Sequence, residues 1–200
     1  MTAVTAPAEP TPAQIAAGRR TLLLATGALM LPFVLGAGLY LTGWRPGQTG
    51  NRGELLQPPV PFPAEQFVGE SGKPLAPADL AGKWTLVLAG HGACGAACTG
   101  RIDEMRRVQV SLNKEMGRLR RLVLSDDASQ PALAAARAAQ PDLLVAARTD
   151  PWPAPFAAGP DYRLYVIDPQ GNLMLRYAPD APGQDVRKDL ERLLKFAWTG

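Results

Sequence analysis

Hydrophobic residues are distributed unevenly along the chain. From Thr21 to Trp44 there is an apolar run without a single charged residue. A helix needs about 20 apolar residues to cross a bilayer core of ~30 Å, so residues 21–44 predict a transmembrane helix. Tyr40 and Trp44 lie at the end of the run, where aromatic rings favour the headgroup layer. A cleaved signal peptide is the alternative, although its apolar region is normally only about 7–15 residues long.

The segments on either side of this run have different patterns. Residues 1–20 are rich in Ala, Thr and Pro and show no packing period, so we expect a disordered tail. Residues 45–63 are rich in Gly and Pro, which predicts a semi-rigid linker. Residues 64–200 then provide enough chain for one soluble domain with its own core.

Apolar runs and helical periods alternate within residues 64–200. Short runs predict strands at 84–89, 119–124, 143–147, 164–167 and 173–177. Apolar residues recur every three or four positions from Ile102 to Leu119, which predicts a long amphipathic helix. Two further helices are predicted over 131–140 and 183–198. The turn residues 168–171 join the last two strands as a hairpin. This order is typical of an α/β or α+β domain with a mixed sheet.

Composition and charge exclude several classes of function. Lys and Arg number 21 against 18 Asp and Glu, and a net charge of only +3 argues against a nucleic-acid partner. Two cysteines are too few for a disulfide scaffold or a four-thiolate zinc site. A single histidine excludes any site that needs two imidazoles. The cysteine pair is the informative feature of the remaining sequence.

Cys94 and Cys98 lie in a small-residue loop between the first predicted strand and the long helix. The helix dipole and free backbone N–H groups there favour a thiolate and lower the pKa of a thiol. In a helical segment, residues four apart are close enough for a disulfide. The pair can therefore cycle between dithiol and disulfide, or hold Cu(I) between two soft ligands.

Other interpretations of these residues stay open. A disulfide between Cys94 and Cys98 closes a very small loop, so a purely structural bridge would stabilise the fold little. Two buried inert cysteines are another interpretation. His91, the only histidine, lies three residues before Cys94 and is a candidate third copper ligand or acid near the thiols, or else a solvated loop residue.

The order of motifs resembles the Sco/SenC proteins. The resemblance rests on a strand, Cys-x-x-x-Cys at a helix start, and the late Leu-Tyr-Val-Ile-Asp-Pro-Gln-Gly hairpin at 164–171. It implies a thioredoxin-like fold and a membrane-anchored copper chaperone or thiol reductase that assembles the copper centre of cytochrome c oxidase. More narrowly, residues 51–56 and the Gly-Lys-Trp at 82–84 resemble small membrane proteins of bacterial cytochrome oxidase gene clusters.

The chain departs from the Sco/SenC pattern at one position. That family places a copper-binding histidine in the loop before the late hairpin, which corresponds to about Pro160 here, and no histidine follows Cys98. The resemblance therefore implies Cu(I) handling rather than a Cu(II) site with two sulfurs and that imidazole. Thioredoxin-like enzymes place a cis-proline near the same position, which makes Pro160 the candidate.

Together these features predict a bacterial inner-membrane protein with one transmembrane helix and a periplasmic thioredoxin-like domain. The abutting Arg19 and Arg20 favour an N-terminus inside the cell, and a redox-active cysteine pair suits an oxidising compartment. We expect a cytochrome c oxidase subunit or another assembly factor as partner, with Cys94 attacking and Cys98 resolving. The alternatives are a general periplasmic thiol oxidoreductase and a non-catalytic interaction module.

Overall fold

The computed structural model describes residues 11–44, 50–69, 71–148, 151–156 and 161–196. It divides the chain into two compact units, residues 1–49 and 50–200. The first unit contains one helix, α1 (Pro12–Leu41), which is long and apolar enough to cross a membrane. A signal sequence near an N-terminus has the same properties, so length and composition alone do not separate the two.

Helix α1 begins earlier than the sequence pattern predicts. Residues 12–20, expected in a disordered tail, are helical. The reason is local: Thr11 accepts a hydrogen bond from the Gln14 backbone N–H, the Gln14 side chain accepts one from the Thr11 N–H, and Pro12 occupies the first turn. Such a capping box satisfies two backbone donors that a helix start otherwise leaves without partners.

The second unit is built on a seven-stranded sheet. Its strands are β1 (Glu54–Pro61), β2 (Val68–Gly69), β3 (Trp84–Ala89), β4 (Leu119–Ser125), β5 (Leu143–Ala147), β6 (Arg163–Ile167) and β7 (Asn172–Arg176). They lie in the order β1-β7-β6-β3-β4-β5-β2. Strands β3, β4 and β5 are mutually parallel, whereas every other pairing is antiparallel. The predicted mixed sheet and late hairpin are confirmed.

Helices cover this sheet. They are α2 (Pro77–Leu80), α3 (Ala96–Ser111), α4 (Pro131–Ala139) and α5 (Gly183–Phe196). Two apolar clusters form the core on opposite sides of the sheet, because successive strand residues alternate between faces. One cluster holds Ile102 and Met105 of α3 together with Leu190 of α5. The other holds Phe67, Trp152 and Phe156, whose rings pack edge-on.

Two predicted elements are corrected by the structure. Residues 54–61, expected in the linker 45–63, form strand β1 beside β7. Prolines are compatible with a strand at a sheet edge, where one side needs no backbone donor. The long amphipathic helix ends at Ser111 rather than continuing to Leu119, and a 3-10 segment follows. Asn113 there has a positive φ of 50°, which an α-helix does not contain.

A buried carboxylate joins the first strand region to α5. Asp189 is only 2% exposed and accepts hydrogen bonds from the backbone N–H groups of Arg52 and Gly53 at 2.9–3.0 Å. The Tyr177 hydroxyl donates to the same carboxylate at 3.0 Å. Burial, together with the Asp189 charge, raises the pKa of Tyr177, so this hydroxyl stays protonated and remains a donor. Asp189 therefore fixes the point where the chain enters the sheet.

Candidate redox site at the start of helix α3

The two cysteines lie where the chain leaves the central strand β3 and enters α3. Cys94 and Cys98 form a disulfide, with Cα atoms 5.1 Å apart. Cys94 precedes the helix cap Gly95, and Cys98 is the third residue of the helix. Both residues belong to the core cluster on the helix side of the sheet. The predicted placement of the pair at a helix start agrees with this geometry.

The helix start favours negative charge at the sulfurs after reduction. The first backbone N–H groups of a helix have no carbonyl partner within the helix and carry its positive dipole end. No acidic side chain occupies the first turn of α3, so nothing on this turn opposes a thiolate. Arg101, one turn after Cys98, lines the same groove but is paired with Glu104, and Asp161 lines the groove too. The free N–H groups at the helix start are therefore what stabilises a thiolate relative to a thiol.

A shallow groove of about 370 Å³ leads from the surface to Cys98. Small residues of the cysteine segment line the groove together with Arg101, Asp161, Tyr162 and Pro179. Cys94 and Cys98 are themselves only 6% and 2% exposed. The groove is therefore the direction of approach to Cys98. Ala93, Gly95, Ala96 and Ala97 lack side chains that would block that approach.

A polar network holds the loop before Cys94. Gln130 accepts a hydrogen bond from the Cys94 backbone N–H at 2.6 Å and donates to the Gly92 carbonyl at 3.2 Å. It also donates to the Ser125 hydroxyl at 2.9 Å. The Tyr162 hydroxyl donates to the Gly92 carbonyl at 3.2 Å. Burial raises the pKa of Tyr162. The Gly92 N–H in turn donates to Asp126 at 2.6 Å.

The loop geometry depends on two glycines. Gly92 has a φ of 76°, a conformation that side chains other than hydrogen disfavour. Gly90 packs against Tyr162, since a Cβ at this position would lie 2.5 Å from the Tyr162 Cγ. Both glycines allow the loop backbone to come close to the side chains that hydrogen-bond to it. The local sequence therefore encodes the position of Cys94.

The ring of His91 contacts a residue of the core cluster that does not contain the cysteines. Its ring centroid is 4.5 Å from that of Trp152, and its Nδ1 lies 3.4 Å from Asp126. The Trp152 Nε1 donates to the same carboxylate at 2.7 Å. Trp152 belongs to the core cluster on the far side of the sheet, whereas the cysteines belong to the other. The role of His91 as a copper ligand stays a prediction.

Cys94 and Cys98 are the candidate copper ligands among the described residues. Among them, no group of three or more His, Cys, Asp or Glu side chains converges to hold a metal ion. Reduction would free the thiolates of Cys94 and Cys98, and a pair of soft sulfur ligands suits Cu(I). Cu(II) prefers nitrogen or oxygen ligands in a tetragonal arrangement, which these side chains do not supply.

The remaining candidate, Pro160 as a cis-proline, lies outside the described residues. Sequence reasoning missed Ser125, Gln130 and Tyr162, although one signal points to two of them. Because β3 and β4 are parallel, their carboxyl ends meet at the same edge of the sheet. Ser125 ends β4 and Gln130 precedes α4, which brings both to the loop that follows β3.

Comparison with known proteins agrees with this architecture. The family described as "Transmembrane-like, thioredoxin-like, C-terminal domain" matches residues 84–197. That range contains both cysteines, the late hairpin and α5. A comparison with curated protein sequences gives no match.

Solved structures of Sco proteins share the fold. Yeast Sco1 superposes with a TM-score of 0.55 at 17% identity, over 71% of this chain and 98% of that one. Arabidopsis thaliana ScoI with copper bound gives 0.53 at 13% identity, over 70% and 99%. Yeast Sco1 with copper bound gives 0.50 at 15% identity, over 74% and 90%. The thioredoxin-like fold that the sequence predicts is confirmed.

Proposed function

Since the chain belongs to the family of transmembrane-like, thioredoxin-like C-terminal domains, we propose that it is a membrane-anchored thiol–disulfide protein that assists cytochrome c oxidase assembly. The observation that carries this proposal is the Cys94–Cys98 disulfide at the start of α3, reached by a groove. The sequence resemblance to Sco/SenC proteins supplies the oxidase as the assembly target. Solved Sco proteins with copper bound share the fold and support copper as a related cargo.

We propose a redox step in which Cys94 attacks and Cys98 resolves. In the reduced protein, the Cys94 thiolate attacks a disulfide of the partner and releases one partner thiolate, forming a mixed disulfide. Cys98 then attacks the Cys94 sulfur and releases the second partner thiolate, which takes up a proton. The partner gains two electrons, and this protein becomes the disulfide seen here. An exported dithiol reductant restores the reduced form.

Copper handling is the second role that the same sulfurs support. Once reduced, Cys94 and Cys98 bind Cu(I) as a two-thiolate cargo site. The cysteines can bind Cu(I) only when their disulfide is reduced. Thiol exchange and Cu(I) handling therefore both start from the dithiol form. Titrating Cu(I) into the reduced protein against a competing chelator, with thiols counted throughout, separates metal transfer from pure thiol exchange.

The location follows the same reasoning as the chemistry. We propose that α1 anchors the protein in the bacterial inner membrane, with residues 64–200 in the periplasm. The long apolar helix, whose charged residues are Arg19 and Arg20 near its start, and the oxidised cysteine pair support this arrangement. The segment 45–63 then joins the anchor to the domain, and its residues 54–61 are part of the sheet.

The double variant Cys94→Ser/Cys98→Ser tests the proposal in cells. Activity is compared at matched protein abundance, because so small a disulfide loop contributes at most about 2 kcal/mol to folding. Cytochrome c oxidase activity should fall, because neither disulfide exchange nor Cu(I) binding remains. The control is Thr99→Ser, which changes a neighbouring hydroxyl residue and keeps both sulfurs. Full oxidase activity in the double variant would contradict a role for the sulfurs and would favour the non-catalytic interaction module.

We expect weak Cu(II) binding by the reduced protein, since the described residues provide no converging third ligand. The measurement is Cu(II) titration followed by the sulfur-to-copper charge-transfer band. His91→Ala is expected to leave Cu(I) affinity unchanged within about twofold, because its ring packs on Trp152 rather than beside the cysteines. A strong Cu(II) band that disappears in His91→Ala would contradict this and make His91 a ligand.

A further inference from the structure

Gln130 contacts the cysteine loop at two points at once. Its side-chain oxygen accepts from the Cys94 N–H at 2.6 Å, and its side-chain nitrogen donates to the Gly92 carbonyl at 3.2 Å. We call this pair of hydrogen bonds the amide clamp. The backbone of Gln130 is fixed because it caps α4, where its carbonyl accepts from Leu133 and Ala134. The clamp therefore ties the loop to a rigid part of the fold.

The clamp matters most when the disulfide is open. In the oxidised protein the bond to Cys98 already fixes Cys94. In the reduced protein that covalent restraint is gone, and the loop contains glycines at 90, 92 and 95, which have many accessible conformations. Hydrogen bonds to Gly92 and Cys94 are then what keeps the Cys94 sulfur near Cys98. Loss of the clamp would give the reduced loop more freedom and so stabilise the reduced state.

We propose that Gln130 is a positioning residue for the Cys94–Cys98 pair, and that the amide clamp sets how readily the pair closes to a disulfide. Gln130 acts through the backbone of the loop, at Gly92 and Cys94. The Tyr162 hydroxyl supports it by donating to the same Gly92 carbonyl. The inference deepens the proposed redox function, on which its biological meaning rests.

The test is the equilibrium between the protein and glutathione, measured on the full chain in detergent micelles. In that exchange the dithiol and one oxidised glutathione give the protein disulfide and two reduced glutathiones. Losing one such hydrogen bond shifts an equilibrium by roughly tenfold. We expect Gln130→Ala to make the disulfide about tenfold easier to reduce, a midpoint about 30 mV less negative for a two-electron couple.

Gln109→Ala is the matched control. Gln109 is also part-buried and donates to a backbone carbonyl, that of Leu119, at 2.8 Å. It lies at the other end of α3, so its loss should lower stability without changing the midpoint. A wild-type midpoint in Gln130→Ala, a shift to more negative values, or an equal shift in Gln109→Ala would overturn the inference.

Tyr162→Phe keeps the proposal testable should Gln130→Ala fail to fold. It removes the hydroxyl and leaves the ring that packs on Gly90. We expect a smaller shift in the same direction, and an unchanged midpoint would count against the clamp. These measurements use purified protein, so they are independent of oxidase activity in cells. Active oxidase in the double cysteine variant would remove the proposed function and leave the midpoint result standing.

Discussion

Cys98→Ser is expected to accumulate a mixed disulfide with the partner, whereas Cys94→Ser is expected to accumulate none. In Cys98→Ser the attacking Cys94 thiolate remains, but no second sulfur can resolve the intermediate. In Cys94→Ser the sulfur that starts the reaction is absent. The measurement is non-reducing electrophoresis of membranes from cells in which thiols are blocked by acid before lysis. The trapped band should disappear when a reductant is added.

The two cysteines differ in exposure and in their position relative to the groove. Cys94 is slightly more exposed than Cys98, at 6% against 2%, yet Cys98 is the cysteine that lines the groove. We assign the attack to Cys94 because the loop before the helix can present its sulfur without unwinding α3. Trapping in Cys94→Ser alone would reverse the two roles. If neither variant accumulates a mixed disulfide, thiol exchange with a stable partner is contradicted. Cu(I) transfer would then be the remaining proposed role.

Much of the sheet could be predicted because its strands have unambiguous patterns. The runs at 84–89 and 143–147 match β3 and β5, since buried central strands are apolar on both faces. Strand β1 was not predicted because its prolines at 58, 59 and 61 are typical of a linker. Only its pairing with β7, a tertiary interaction, distinguishes an edge strand from an extended spacer.

Local sequence was a weaker guide to where α3 ends. The apolar spacing continues through Met116 to Leu119, but Met116 is 51% exposed and Leu119 begins β4. The helical conformation is interrupted at Asn113, which has a positive φ. Asparagine tolerates the left-handed region of φ/ψ space, so no glycine is needed there. A periodic pattern cannot show such a break when the residues after it belong to the next strand.

The site was predictable as a pair of cysteines but not as a network. Helix-start chemistry follows from small residues and spacing, which are visible in the sequence. By contrast, Gln130 and Tyr162 reach Gly92 from positions 38 and 70 residues away. Asp126 accepts from the Gly92 N–H and from the Trp152 Nε1–H. These contacts depend on the strand order, which no local motif specifies.

Asp189→Ala is expected to lower the free energy of unfolding by roughly 2–5 kcal/mol, a large share of the ~5–15 kcal/mol typical of a domain. The substitution leaves the N–H groups of Arg52 and Gly53 and the Tyr177 hydroxyl without their shared acceptor. Buried donors that lose an acceptor cost free energy because water cannot replace it. The measurement is urea unfolding of the full chain in micelles, followed by tryptophan fluorescence.

Asp185→Ala is the matched control, because it removes a carboxylate from the same helix one turn earlier. Asp185 lies 3.9 Å from Arg52 and is partly exposed, so its loss should cost no more than about 1 kcal/mol. Asp189→Asn keeps one acceptor oxygen and should fall between the two. Equal losses in Asp185→Ala and Asp189→Ala would show that net charge on α5, rather than the buried hydrogen bonds, stabilises the entry of the chain. A loss confined to Asp189 would instead make β1 part of the domain's cooperative core, since the residues that Asp189 holds lead directly into that strand.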